Sequence, residues 1–449
     1  MKLNFSNNKK FLFLYFLSLI YSSTSEIIIK FERKFPPLTK ENIMENLIEN
    51  NIYMDMTLGT PEQKIPMIIK INEHSSYIAG SEAIGNFIKF NEKNSKSYIT
   101  NQNESTYFSG FLFAYKSTDT FNINSKKYEN FEFYLGIKES FSNPLQYSGI
   151  LGLGMKINCY DGSQSSDIES FVEQLYRKHI INYPVYYIKY LSENKGEIII
   201  GNYPHEINND IYNEFNLRTV RGIYDSDCDG YWDFYFENVT FNGKKINYFP
   251  EFHFKFELEK GVIEVGNYFY DIVKDFFKNN KCNEKIIQNI EGKFYSFNCD
   301  KNFEYKNFPN ITFYNSKLDL LFTLEYSDLF YNFEDKYYFL VIINYNPHSS
   351  TYWTMGQPFF EKYLTTFDLS ITKEKVGFYF DSNYQNINNT KNIINQGNTK
   401  PYKISLIIAI IIIICLCYAL YYIFIRLPRK KRANELLDDF EYIPGSKLI

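Results

Sequence analysis

Three short stretches hold the residue types that can do chemistry. In "MIIKINEHSSYIAG" (67–80) an apolar strand runs into a polar turn with Asn72, Glu73, His74 and the serine pair Ser75 and Ser76. In "DSDCDG" (225–230) Asp225, Asp227 and Asp229 alternate and a glycine follows, which mimics the start of a calcium loop. The bidentate glutamate due at the twelfth position is missing, since Phe236 stands there and Glu237 comes one place late. An acidic solvated loop is the expectation. In "HFKFELEKG" (253–261) Glu257 and Glu259 alternate with Phe256 and Leu258, which by itself reads as a strand with one polar face. Asn72 by itself reads as a turn residue that bonds its own backbone, and His74 as a turn or surface histidine. There is no G-x-x-x-x-G-K, C-x-x-C, H-E-x-x-H or G-x-S-x-G, and the five histidines are scattered, so neither a cofactor nor a catalytic metal is expected.

The elements that must position these residues are mostly strands. "NIYMDMTLGT", "FSGFLFAY", "GEIIIGN", "YWDFYFENVTFNG", "ITFYNSKLDLLFTL" and "KYYFLVIINY" are β-rich runs separated by Asn, Gly, Ser and Asp clusters. Helical periodicity is confined to "IESFVEQLYRKHI" near residue 168 and "NYFYDIVKDFFKNN" near residue 267. The fold class is therefore all-β with few helices, and 449 residues at 45% hydrophobic content suffice for a large core, with Trp232 and Trp353 as anchors. The formal charge of -4 and the lack of a basic face exclude nucleic acid as a partner.

The two ends read as membrane-related. Residues 1–25 place Lys2, Lys9 and Lys10 before an apolar run and then small residues, the pattern of a secretory signal peptide. Residues 404–425 are uncharged and long enough to cross a bilayer as one helix. Arg426, Arg429, Lys430, Lys431 and Arg432 follow, which puts the tail 426–449 in the cytosol. The expectation is a single-pass type I membrane protein whose outer region faces a secretory-pathway lumen, a vacuole or the cell surface. Residues 382–403 read as a stalk and 26–50 as a short N-terminal or pro-segment. Four cysteines lie outside the span: Cys282 and Cys299 are close enough to close a local loop, and Cys159 and Cys228 either pair or stay free. Sequons stand at Asn103, Asn238, Asn310 and Asn388.

A set of phrases in fixed order adds a family. "YMDMTLGTPEQKIPMIIKI" with "SSYI", "SGILGLG" (148–154), "GEIIIGN", "YWDFYFENVTFNG" and "YWTMGQPFFEKYLTTFDLSITKEKVGFYF" (352–380) together resemble the pepsin-like aspartic peptidases. The resemblance covers about residues 50–381 and implies a bilobal β fold, with lobes at 51–201 and 202–381, a cleft between them and a peptide or protein ligand in that cleft. It also implies a disulfide between Cys282 and Cys299.

In that family each lobe contributes an aspartate from an Asp-Thr/Ser-Gly turn, and the two carboxylates share a proton around the attacking water. Matched residue by residue, Asn72 stands at the first aspartate, Glu73 at the threonine and His74 at the glycine; Glu257 stands at the second aspartate, with Leu258 and Glu259 after it, or Leu258 stands there in a register shifted by one residue. Both triplets are lost. An amide neither carries negative charge nor accepts a proton near neutral pH, and glutamate's extra methylene moves its oxygens in a site with tight tolerance. The stretch "NQNESTYFSGFLFAY" is similar to the family's flap hairpin and puts Asn103, itself a sequon, at the position of the flap tyrosine near the entrance, or Tyr98 or Tyr107 there after a shift. Glu73, His74, Ser75, Asn103, Leu258 and Glu259 are the expected cleft-lining residues. The reading that follows is an inactive, membrane-anchored relative of the aspartic endopeptidases that keeps a peptide-binding cleft. The alternatives are an active endopeptidase with a rearranged carboxylate dyad, Glu257 with Glu73 or another carboxylate, and a structural or receptor-like surface glycoprotein.

Overall fold

Alternating burial explains why the strands form where they do. In Ile27–Arg33 the residues Ile27, Ile29, Phe31 and Arg33 face inward while Lys30 and Glu32 face out, the period-2 signature of a strand with one covered face. The computed structural model describes residues 26–33, 38–48, 51–108, 111–123, 126–139, 147–155, 168–208, 212, 214–221, 232–246, 251–288, 292–346, 352–370 and 374–379. The expected signal peptide, stalk, membrane span and tail, Cys159, Cys228, Asp225, Asp227, Asp229 and Asn388 lie outside the described residues. Among the described residues no helix is long and apolar enough to cross a membrane, and no group of three His, Cys, Asp or Glu is arranged for a metal ion. The chain divides into units 1–381 and 382–449, and the description concerns the first.

Among the described residues its strands form three sheets of thirteen, nine and four members. The largest takes strands from both halves of the chain: Leu217–Arg221, Lys375–Tyr379 and Thr365–Asp368 continue into Val185–Ser192, Lys195–Ile200, Ile27–Arg33, Ile52–Leu58 and Gln63–Lys70. The β-rich stretch "FSGFLFAY" takes part in the hairpin that the resemblance implies at 101–115, since Ile99–Phe108 pairs antiparallel with Phe111–Ile123, with Phe108 opposite Phe111.

Each of the two chemistry-bearing turns is built the same way. Gln63–Lys70 enters the first turn and Tyr77–Ala79 leaves it, and the two flank Gly149–Gly152, parallel on one side and antiparallel on the other. Phe252–Phe256 and Ile263–Val265 flank Tyr352–Met355 in the same sense. The returning turn therefore crosses over the end of a central strand. A Cβ at Gly152 would run into the carbonyls of Ser75 and Glu73, and one at Gly356 into those of Val262 and Lys260, so glycine is required where each turn passes over.

Aromatic residues fill the core of the second half. Trp353 packs against Phe254, Phe269 and Phe313, and Phe236 against Phe254 and Phe322. The helix Tyr268–Asn279 buries Phe269, Val273 and Phe277 at four-residue spacing, so one face carries the contact. Phe277 stacks on Phe297 at 4.4 Å. The strand Lys293–Asp300 that carries Phe297 is tied to the end of this helix by the Cys282–Cys299 disulfide, across 17 residues. Closing a loop of that length removes denatured-chain entropy worth about 3 kcal/mol. The double variant Cys282→Ala, Cys299→Ala should therefore lose about 3 kcal/mol in equilibrium urea unfolding, and a loss below about 1 kcal/mol would show that the helix is anchored by packing alone.

Candidate functional site

The two turns meet through backbone carbonyls. Asn72 Nδ2 donates to the carbonyl oxygen of Phe256 at 2.6 Å, so the amide at the end of the first turn reaches the residue that precedes Glu257. A carbonyl only accepts, which fixes the amide with its nitrogen toward Phe256. In the opposite direction, Trp232 Nε1 donates to the carbonyl oxygen of Ile71 at 3.0 Å, the residue that precedes Asn72. Each turn's leading carbonyl is thus satisfied by a donor from the other half of the chain.

Glu257 is held inside its own turn. Its backbone N–H donates to the Met355 carbonyl at 3.1 Å, and its carboxylate lies 3.3 Å from Lys260 Nζ. The Lys260 side chain is only 7% exposed and also touches Glu264 Oε2 at 2.7 Å, so one buried ammonium balances two carboxylates. A buried charge is tolerated only when paired, which makes these contacts obligatory.

The carboxylates that feel each other across the two halves are Glu73 and Glu259. Lys70 Nζ lies 3.9 Å from Glu259 Oε1. Burial lowers the Lys70 ammonium, but the surrounding charges of Glu259, Glu73, Tyr147 and Glu257 outweigh it and raise its pKa. Burial also raises the Glu73 carboxyl; Lys70 offsets part of this, Glu259 adds to it, and the Tyr77 hydroxyl, 3.4 Å away, lowers it slightly. The net shift at Glu73 is upward.

The other expected residues lie elsewhere. His74, Ser75 and Leu258, expected on the cleft surface, are buried instead. His74 Nε2 lies 2.7 Å from Glu173 Oε2, and Ser75 Oγ donates to the Ile168 carbonyl at 3.0 Å. Both bind the first turn down onto the start of the helix Phe171–Arg177, where Ser170 and Glu173 form a capping box. Burial works to raise the Glu173 carboxyl, yet the His74 imidazole and Ser170 outweigh it and hold the group below its usual range. Leu258 is apolar and joins the main core. Asn103 lies in the hairpin strand Ile99–Phe108. Asn310 is exposed and Asn238 half-buried, and the third residues of these two sequons, Thr312 and Thr240, share a 2.6 Å hydrogen bond.

Three contributors escaped sequence reasoning: Lys70, Lys260 and the indole N–H of Trp232. Lys260 carried a signal, since it stands three residues after Glu257 and four before Glu264. Lys70 and Trp232 carried none, because their partners are carbonyls and carboxylates far away in the chain. As a whole the arrangement lacks a free carboxylate at Asn72 and has a neutralised one at Glu257.

Residues 52–379 match the family model described as eukaryotic aspartyl protease. No curated protein matches the chain.

Two outcomes follow from these contacts. Asn72→Asp would set a carboxylate oxygen against the Phe256 carbonyl and remove its donor, so at neutral pH it should destabilise the fold by about 2–3 kcal/mol in urea unfolding. The introduced carboxyl would have a folded pKa above its unfolded value of about 3.9; the deficit should be absent below that pH and appear as pH rises through the folded value. A deficit that does not vary with pH would refute the contact. Glu73→Gln removes a carboxyl whose pKa is raised by burial, so it should match the unmodified protein at acid pH and become the more stable of the two as pH rises past the usual carboxylate range. Equal stability of the two at all pH values would show that Glu73 is solvated.

Proposed function

Given that the chain belongs to the eukaryotic aspartyl protease family, we propose that it is a member whose acid-base centre is dismantled while the fold and an interlobe cleft are kept for binding a peptide or protein. One observation carries this reading: the amide at Asn72 donates to the Phe256 carbonyl, where the family's chemistry needs a proton acceptor, and the partner carboxylate at Glu257 is paired with buried Lys260. Such an amide cannot take a proton from water, and an ion-paired carboxylate is held in its charged form.

The same proposal places the outer region in a secretory-pathway lumen, a vacuole or at the cell surface. Its basis is the sequence pattern of a signal peptide at 1–25 and an apolar span at 404–425 with basic residues after it. In this topology the sequons at Asn103, Asn238, Asn310 and Asn388 would face the glycosylating compartment.

A second reading, an active endopeptidase with a rearranged dyad, has one observation in its favour. Glu73 and Glu259 come from different turns and are coupled electrostatically around Lys70, so the working pair would be these two, not Glu73 with Glu257. Purified outer region, residues 26–400, should leave a broad peptide library uncut from acid to neutral pH while retaining a subset of its peptides. Cleavage sensitive to a transition-state-mimicking inhibitor, and abolished by Glu73→Gln or Glu259→Gln, would establish the rearranged dyad. Neither cleavage nor retention by folded protein would leave the receptor-like surface glycoprotein.

A further inference from the structure

The segment before residue 50 is built into the molecule at two points. Ile27–Arg33 is an interior strand of the large sheet: six of its residues pair with Lys195–Ile200, and Glu32 and Arg33 also pair with Tyr53 and Ile52. Ile27, Ile29 and Phe31 are buried in the main core, and Phe31 meets Tyr190 edge-on at 5.4 Å. The second point is the helix Ile43–Ile48, whose Ile43, Met44, Leu47 and Ile48 pack with Val262, Ile287, Phe294, Tyr338 and Ile342 of the second half.

Polar contacts from this segment reach the second turn itself. Arg33 is 2% exposed, and its guanidinium donates to the Leu258 carbonyl at 2.8 Å, the Glu259 carbonyl at 3.4 Å and the Tyr190 hydroxyl at 2.9 Å. The fixed fork of a guanidinium suits adjacent carbonyls, and a cation so deeply buried is stable only with such partners in place. On the other side of the turn, the Gly261 N–H donates to the Leu47 carbonyl at 2.8 Å. The three atoms nearest to a Cβ at Gly261 would all belong to Leu47, the first being that same carbonyl oxygen at 2.8 Å. Glycine at 261 is thus explained by the presence of the N-terminal helix. Residues 257–261 carry the second turn, and both of its flanks are fixed by this one segment.

We infer that residues 27–48 are a permanent structural part of the protein, retained after secretion, with Arg33 as the positioning residue that sets the second turn. Removal of the segment would expose two strand edges and an apolar socket, and would leave the carbonyls of Leu258 and Glu259 without their donor. The inference is independent of whether the cleft cuts or binds peptide.

The test uses the full chain, expressed in a secreting eukaryotic cell with a C-terminal tag, extracted in detergent and analysed by peptide mapping and N-terminal sequencing. Residues 27–48 should be present in stoichiometric amount. A folded protein with a cooperative melt whose first residue lies after Asn50, and from which peptide 27–48 is absent, would overturn the inference. Arg33→Met keeps the aliphatic bulk and removes the donors; amide exchange at 257–260 should then quicken by roughly tenfold while that of Gln63–Lys70 is unchanged. Arg33→Lys, which restores charge and one donor, should recover part of the protection, and unchanged exchange in Arg33→Met would reject the positioning role. If Arg33→Met does not fold, Gly261→Ala supplies the readout: it presses first on the Leu47 carbonyl and should make residues 38–48 more sensitive to limited proteolysis. No increase there would refute the contact between helix and turn.

Discussion

The hydrogen bond from the Asn72 amide to the Phe256 carbonyl stands at the centre of this structure. Two strands end in turns that pass over glycines at Gly152 and Gly356, and the carbonyls at the turn entrances point toward the opposite half of the chain. A buried carbonyl needs a donor, and here the donors are side chains, Asn72 for Phe256 and Trp232 for Ile71. Once a side chain at position 72 has that duty, it must be a donor. This is a chemical reason for an amide, as distinct from the passive loss of a carboxylate.

The charges follow from the same arrangement. Glu73, Glu257, Glu259 and Glu264 would repel one another if left alone in a partly buried region, and Lys70 and Lys260 supply the compensation. The two lysines do this differently. Lys260 is nearly sealed and sits within hydrogen-bonding range of its partners, whereas Lys70 is more exposed and farther from Glu259. The tightly balanced side is therefore Glu257, and the electrostatically poised side is Glu73 with Glu259. Sequence matching placed interest on Glu257 and Glu73; the electrostatic influence of Glu259 on Glu73 adds Glu259 to them.

Much of the fold was legible because its signals are local. Alternating apolar residues marked the strands, and the four-residue spacing of Phe269, Val273 and Phe277 marked the longest helix within two residues of its ends. The short spacing of Cys282 and Cys299 marked a loop that the structure closes. The positions of both turns were legible too, through the phrases that surround them. What the turn residues touch was not. His74 read as a surface residue because nothing near it in sequence announces Glu173, 99 residues away. Leu258 looked like part of a polar site because of its neighbours, though its own side chain belongs to the core. Arg33 lies 225 residues from the carbonyl it holds, and a charged residue at a strand's end gives no hint that it is buried. Contacts at such separations depend on the path of the whole chain, which one sequence does not encode in any short pattern.

That dependence also limits what a single substitution can recover. An aspartate at position 72 leaves Phe256 without a donor, and an aspartate at 257 still faces Lys260. Removing Lys260 in turn leaves Glu264 without its ammonium, and the turn that carries all of these is fixed by Arg33 and Leu47 from the N-terminal segment. Residues in one contact network do not act additively, so each change alone lowers stability before any pair can raise function. The second turn is therefore held as one network: its charges, its backbone donors and its N-terminal support each presuppose the others.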